Sequence, residues 1–306
     1  MSSSDSNSGV QAGSLTAWRL AVRPPTLVAG GAPVLLGASL AARAGMFDFF
    51  LSSMAMVVAI SVQIGTNLIN DWADFRKGAD TSARIGPIRV TQAGLLPEDT
   101  VRNAGIVAMC VALLAGLLIV LQAGWIYLIV GALSVVSGVA YTTGPFPLAY
   151  IGLGDIWAFL FFGLVATMAT YSIQTDEVTL ASFALGTAMG LFAAALLGVN
   201  NLRDLATDRE AGKKTLAVRL GRTPMKYLIL LEILVASMMA VAVSIAGGIG
   251  WGGAIGVLAI FVGRDALRTV WKYEGDDPRT LLPALQRVSQ TQLVFAILVS
   301  LGMGFG

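Results

Sequence analysis

Two stretches of this 306-residue sequence carry oxygen-bearing side chains at helical spacing. The first reads Asn67-Leu-Ile-Asn-Asp71-Trp-Ala-Asp74-Phe-Arg-Lys-Gly-Ala-Asp80, and the second Asn200-Asn-Leu-Arg-Asp204-Leu-Ala-Thr-Asp208-Arg-Glu-Ala-Gly212-Lys-Lys. Residues four apart on a helix are offset by only about 40°. Asn67, Asp71 and Asp74 therefore share one stripe, and Asn200, Asp204 and Asp208 another. Carboxylates on neighbouring turns repel each other unless a cation lies between them. Mg2+ suits such columns, because one or two carboxylates, water and phosphate oxygens satisfy it. The chain has no histidine and a single cysteine, so His-based acid–base pairs and soft-metal sites lack their ligands.

Basic residues interleave with both columns. Arg76, Lys77, Arg84 and Arg89 follow the first, and Arg203, Arg209, Lys213 and Lys214 accompany the second. Metal-binding carboxylates ringed by Lys and Arg match the needs of a diphosphate, whose charge grows as it leaves. Retention of basic loops on the cytoplasmic side of a membrane would also gather some of them there. A third polar stretch, 141–155, has no Lys or Arg. In it Tyr141 offers a π face to a cation, while Gly and Pro equally make a turn. Asp155 reads either as a functional acid or as a helix N-cap.

These columns must be positioned by membrane helices. Hydrophobic residues make up 56% of the chain and charged residues 12%, which excludes an ordinary soluble globule. The net charge of +2 gives no support to nucleic acid as a partner. A bilayer requires about 20 apolar residues per helix. That criterion predicts nine spans, near 21–42, 49–70, 101–122, 124–142, 153–173, 179–201, 226–247, 249–270 and 286–305. The expected architecture is all-α: a single membrane domain over 15–306, preceded by a polar, disordered tail over 1–14. Of the 20 Lys and Arg residues, only Arg43 falls outside the loops on the side of the N-terminus. The distribution predicts a cytoplasmic N-terminus and acidic face, with the C-terminus outside. Cys110 lies within an apolar run and reads as a small core residue.

The stretches 67–94, 141–155 and 200–221 resemble the UbiA superfamily of intramembrane prenyltransferases, and within it the naphthoate branch that serves menaquinone synthesis. The resemblance implies a nine-helix bundle around a central cavity, in a bacterial inner membrane. It implies Mg2+ held by Asp71, Asp74, Asp80, Asp204 and Asp208, with Asp71, Asp204 and Tyr141 as catalytic groups. Asn67, Arg76, Lys77, Arg84, Arg89, Asn200, Arg203, Lys213 and Lys214 would bind a polyprenyl diphosphate. Gly78 stands where many relatives carry a further Asp, which leaves the role of Asp80 open. The implied acceptor is an aromatic acid, 1,4-dihydroxy-2-naphthoate. Prenylation of 4-hydroxybenzoate or of a haem- or chlorophyll-type acceptor is the alternative, followed by a transporter, whose polar sites belong nearer the bilayer midplane.

Overall fold

The computed structural model describes residues 10–78, 86, 88–140, 148 and 150–305; residues 1–9 of the expected tail, Asp80, Arg84 and Tyr141 lie outside the described residues. Among the described residues all regular secondary structure is helical. In chain order the helices are α1 (Leu15–Val22), α2 (Pro24–Arg43), α3 (Phe49–Arg76), α4 (Glu98–Ala123), α5 (Ile126–Ala140) and α6 (Gly154–Phe159). A π-helical turn (Leu160–Val165) joins α6 to α7 (Ala166–Thr175), and α8 (Leu180–Arg203), α9 (Leu205–Glu210), α10 (Leu216–Leu220) and α11 (Arg222–Ile245) follow. A 3-10 segment (Trp251–Ala259) continues into α12 (Ile260–Lys272), and α13 (Leu282–Phe305) closes the chain.

Among the described residues, 7 helical segments are long and apolar enough to cross a membrane. The two other segments expected to span do not meet that criterion. The one expected at 124–142 is the 15-residue α5, and the one at 249–270 is a 3-10 segment running into α12. The first expected span begins with a separate element, α1, whose Ser14 side chain accepts a hydrogen bond from the Ala17 amide at 3.2 Å. Side-chain caps also start two of the longer helices, α3 and α8. Asp48 Oδ1 accepts from the Leu51 amide at 2.8 Å at the head of α3, and Thr179 and Ser182 form a reciprocal cap on α8.

The core surrounds α8, which is buried over most of its length by α2, α7, α11 and α13. Close approach explains the π turn: a Cβ on Gly163 would lie 2.3 Å from Gly190 Cα of α8, so the two backbones touch with no side chain between them. Cys110 departs from expectation, for it is exposed. The buried stripe of α4 is Val101, Gly105, Met109, Ala112, Ala115 and Ile119, leaving Cys110 on the outward face. Hydropathy cannot separate the two faces of a helix when its outer solvent is itself apolar.

Polarity runs consistently through the bundle. Pro24 at the head of α2 and Leu282 at the head of α13 meet around one polar pocket. At the other ends of these helices, Arg43 Nη1 donates to the Met303 carbonyl at 3.0 Å. The C-terminus is therefore at the end of the bundle opposite that pocket.

Above the end of α3, residues 88–96 fold back over the helix. Asp71, only 1% exposed, accepts backbone hydrogen bonds from Val90 at 3.2 Å and Thr91 at 3.1 Å. Val90, Leu95 and Leu96 then pack onto Ala17, Ala21 and Leu68. Asn67 is likewise turned toward α1 and α2, donating to the Val22 carbonyl and Thr26 Oγ1, both at 2.8 Å. An amide at position 71 has one acceptor oxygen and would point N–H groups at a second N–H. Asp71→Asn is expected to speed hydrogen exchange at the Val90 and Thr91 amides roughly ten- to a hundredfold. That is the scale of about 1–3 kcal/mol for a buried hydrogen bond left unmade. Mass-spectrometric exchange on the peptide covering 88–96 checks this.

Candidate active site

The polar pocket draws on both halves of the chain. Asn70, Asp74 and Arg89 line it from the end of α3 and its cap. Asn200, Asn201, Arg203, Asp204, Asp208 and Lys213 line it from the end of α8 and the turn beyond. The acidic groups are balanced pairwise. Arg89 Nη2 lies 2.7 Å from Asp74 Oδ2, Arg203 forms a two-pronged bond to Asp204 at 2.6 and 2.7 Å, and Lys213 Nζ is 3.3 Å from Asp208. Some capacity is left over: Asn70 Oδ1, Asp74 Oδ1 and Arg203 Nη1 are buried without hydrogen-bond partners. Inside a protein such atoms are costly unless a ligand or water meets them.

The helix ends present these groups in different ways. On α3 the pocket-facing pair is Asn70 and Asp74, one turn apart, while Asn67 and Asp71 hold the cap as described above. The Asn-x-x-x-Asp spacing thus occurs twice within the first motif, and the copy that matches Asn200 and Asp204 in the pocket is Asn70–Asp74. On α8 the helix breaks at Asp204, where α9 begins, yet Asn200, Asp204 and Asp208 all stay on the pocket wall.

Other expected site residues are distributed less evenly. Lys77 reaches the pocket edge, with its ammonium 5.5 Å from the centre of the Tyr150 ring, and Lys213 lies over the same ring at 4.9 Å. Arg76 faces outward and pairs with Glu98 at 3.4 Å. Lys214 is exposed and contributes its backbone, the amide donating to the Tyr150 carbonyl at 2.8 Å. Gly152 permits this stitch, since a Cβ there would lie 2.4 Å from the Lys214 carbonyl oxygen. Asp155 is not an N-cap; it lies in the first turn of α6, buried, and accepts from Asn201 Nδ2 at 3.3 Å.

Polar pocket residues that helical spacing does not single out include Asn70, Asn201, Arg23, Thr26, Thr215 and Gln286, while Tyr150 belongs to the third polar stretch, 141–155. Arg23 had a signal, since it precedes Pro24-Pro25 and so leaves ordinary helix geometry. Its φ of 57° is unusual for a residue with a side chain. It lines the pocket, and its Nη2 lies 3.8 Å from Asp71.

The donor set fits a hard cation. The pocket offers carboxylate and amide oxygens and no sulfur or imidazole, and an unpartnered oxygen on each of Asn70 and Asp74. Among the described residues no three acidic groups come close enough to cage a metal by themselves. The arrangement therefore suits ions completed by oxygens of a bound phosphate.

A second, apolar cavity lies farther along the same helix faces. On α3 the stripe Asp74, Asn70, Thr66, Val62, Ala59 and Ala55 passes from polar pocket to apolar cavity; on α2 Thr26, Gly30 and Val34 do the same. At 1.5 Å per residue, Ala55 is about 28 Å from Asp74, close to the thickness of a bilayer core.

Known proteins share the sequence pattern and the fold of this chain. The model of the UbiA prenyltransferase family matches residues 31–305. A 1,4-dihydroxy-2-naphthoate octaprenyltransferase of Escherichia coli (strain K12) is 40% identical over 67% of this chain and 68% of its own length. The Haemophilus influenzae protein of the same name is 32% identical over 95% of this chain and 97% of its own length. The fold resembles a UbiA homologue from Aeropyrum pernix K1, with a TM-score of 0.68 at 15% identity over 92% of this chain and 97% of that one. It also resembles an Archaeoglobus fulgidus homologue bound to GPP and Mg2+, with a TM-score of 0.64 at 14% identity over 93% of this chain and 99% of that one. With a family model spanning nearly all its length and a full-length relative of this identity, the chain is an integral membrane protein of the UbiA prenyltransferase family.

Proposed function

We propose that this protein transfers a polyprenyl group from its diphosphate to 1,4-dihydroxy-2-naphthoate. The observation that carries the transfer is the succession of an acid- and base-lined pocket and an apolar cavity along single faces of α2 and α3. A molecule with a charged head and a long apolar tail needs both. The acceptor is supported by the names of the relatives from Escherichia coli and Haemophilus influenzae. The bacterial relatives and the basic loops support an inner-membrane protein with a cytoplasmic N-terminus and pocket and an external C-terminus.

Asn70, Asp74, Asn200, Asp204 and Asp208 would hold Mg2+, which when bound neutralises phosphate charge and makes diphosphate a better leaving group. The site's cations would act directly. Arg203, Arg89 and Lys213 pair with carboxylates in the structure, and an arriving diphosphate with its ions offers each an exchange of partner. Asp71 would serve indirectly, by fixing the segment that presents Arg89. As the C1–O bond breaks, the electron pair leaves with diphosphate and an allylic cation remains. The apolar wall keeps water from that cation. The electron-rich ring attacks through the carbon bearing the carboxylate, and the electrons of the C–CO2 bond return to the ring as CO2 departs. No redox cofactor is required.

Purified protein in detergent, given a prenyl diphosphate, Mg2+ and 1,4-dihydroxy-2-naphthoate, is expected to form a product lacking the carboxyl group. Mass spectrometry reads this directly, and a prenylated product that keeps the carboxyl mass would overturn the decarboxylating route. Asp74→Asn and Asp204→Asn are each expected to lower turnover about a hundredfold or more, the scale for loss of a main transition-state charge stabiliser. Near-normal rates in well-folded variants would remove those residues from the site.

A further inference from the structure

The apolar cavity has two polar atoms with nothing to bind. Thr66 Oγ1 and Trp157 Nε1 are buried, lack hydrogen-bond partners and belong to residues lining this cavity. Several hydroxyls elsewhere in the helices avoid this cost. Ser39, Ser134, Thr170, Ser237 and Ser244 donate to the carbonyl four residues earlier, at 2.7–2.8 Å, the usual way for a hydroxyl in a membrane helix to satisfy itself. In the same cavity wall, Tyr127 is bonded to Ser172 at 3.1 Å. Thr167 is also unpartnered, but it lines no described cavity.

Both atoms belong to the end of the cavity nearest the polar pocket. Thr66 precedes Asn70 by one turn on the pocket-facing stripe of α3, and Trp157 is in the first turn of α6, two residues beyond the buried Asp155. Gly138, near the end of α5, keeps the space in front of Thr66 open, because a Cβ there would lie 2.7 Å from Thr66 Oγ1. Trp157 and Phe161 stand with ring centres 5.6 Å apart and form an aromatic wall. A prenyl tail has no polar atom to offer this place. A flat aromatic ring bearing oxygens does: lying at the edge of the Trp157 indole and against Phe161, it would accept from the indole N–H and exchange a hydrogen bond with the Thr66 hydroxyl.

We infer that Thr66 and Trp157 form the recognition site for the hydroxylated ring of the acceptor, at the junction of the two cavities. This rests on the proposed transfer for its choice of ring but concerns binding alone, so it is tested without turnover. The probes are 1-hydroxy-2-naphthoate, 2-naphthoate and geranyl diphosphate with Mg2+, each titrated calorimetrically into the purified protein in detergent. The wild type binds the hydroxylated acid more tightly than the plain one. Thr66→Val preserves shape and removes the hydroxyl, while Trp157→Phe keeps an aromatic ring and removes the indole N–H together with part of the ring surface. Each is expected to weaken the hydroxylated probe roughly tenfold, the loss of one buried hydrogen bond. Each also narrows the gap to 2-naphthoate and leaves geranyl diphosphate binding and the melting temperature unchanged. Equal weakening of all three probes, or an unchanged preference for the hydroxylated acid in both variants, overturns the inference. If the ring probes bind as expected but no prenylation occurs, the proposed transfer fails and this site stands.

Discussion

At one end of the bundle, Asp74, Asp204 and Asp208 face a single pocket, and none of them could be held there without a matched cation. Arg89, Arg203 and Lys213 provide that match. Much of the surrounding structure follows from this requirement. The α3 helix must project past the apolar region far enough to bring Asp74 into the pocket, and its cap must return to deliver Arg89. The end of α8 must break at Asp204 so that Asp208 and Lys213 turn back over the opening. Charge pairing of this kind is poised for exchange, because a substrate bringing its own anionic oxygens and metal ions replaces each internal partner with one of equal sign.

The apolar half of the molecule serves the same end by subtraction. Helix α8 is buried over most of its length, and glycines at its contacts let neighbouring backbones close directly onto it. The front faces of α2 and α3 are left to line a cavity. Because both helices run without a break from the polar pocket into this cavity, the charged and apolar halves stay in register. The two polar atoms at the junction, Thr66 Oγ1 and Trp157 Nε1, mark where one environment changes into the other.

Much of this was legible in the sequence. Apolar runs long enough to cross a bilayer give the helices, and the asymmetry of Lys and Arg groups the acidic loops on one side. The spacing of Asn200, Asp204 and Asp208 correctly gives one wall of the pocket. On α3 the same logic was ambiguous, since Asn67, Asn70, Asp71 and Asp74 contain two overlapping stripes. Only packing against α1 and the cap decides which one faces inward. The outward position of Cys110 was hidden for a related reason, because apolar composition does not distinguish protein core from lipid. Tyr150, Asn201 and Arg23 join the site through contacts distant in sequence, which no local spacing records.

The central claim is that the two helix ends, from opposite halves of the chain, grip one diphosphate together. A double-mutant cycle on binding tests it most directly, using Asp74→Asn, Asp204→Asn and the double variant, with geranyl diphosphate and Mg2+ titrated calorimetrically. If both ends hold the same ligand through shared ions, each single change disables the clamp, and the double variant binds about as weakly as the weaker single one. Losses that simply add in free energy would show two independent sites and contradict the account.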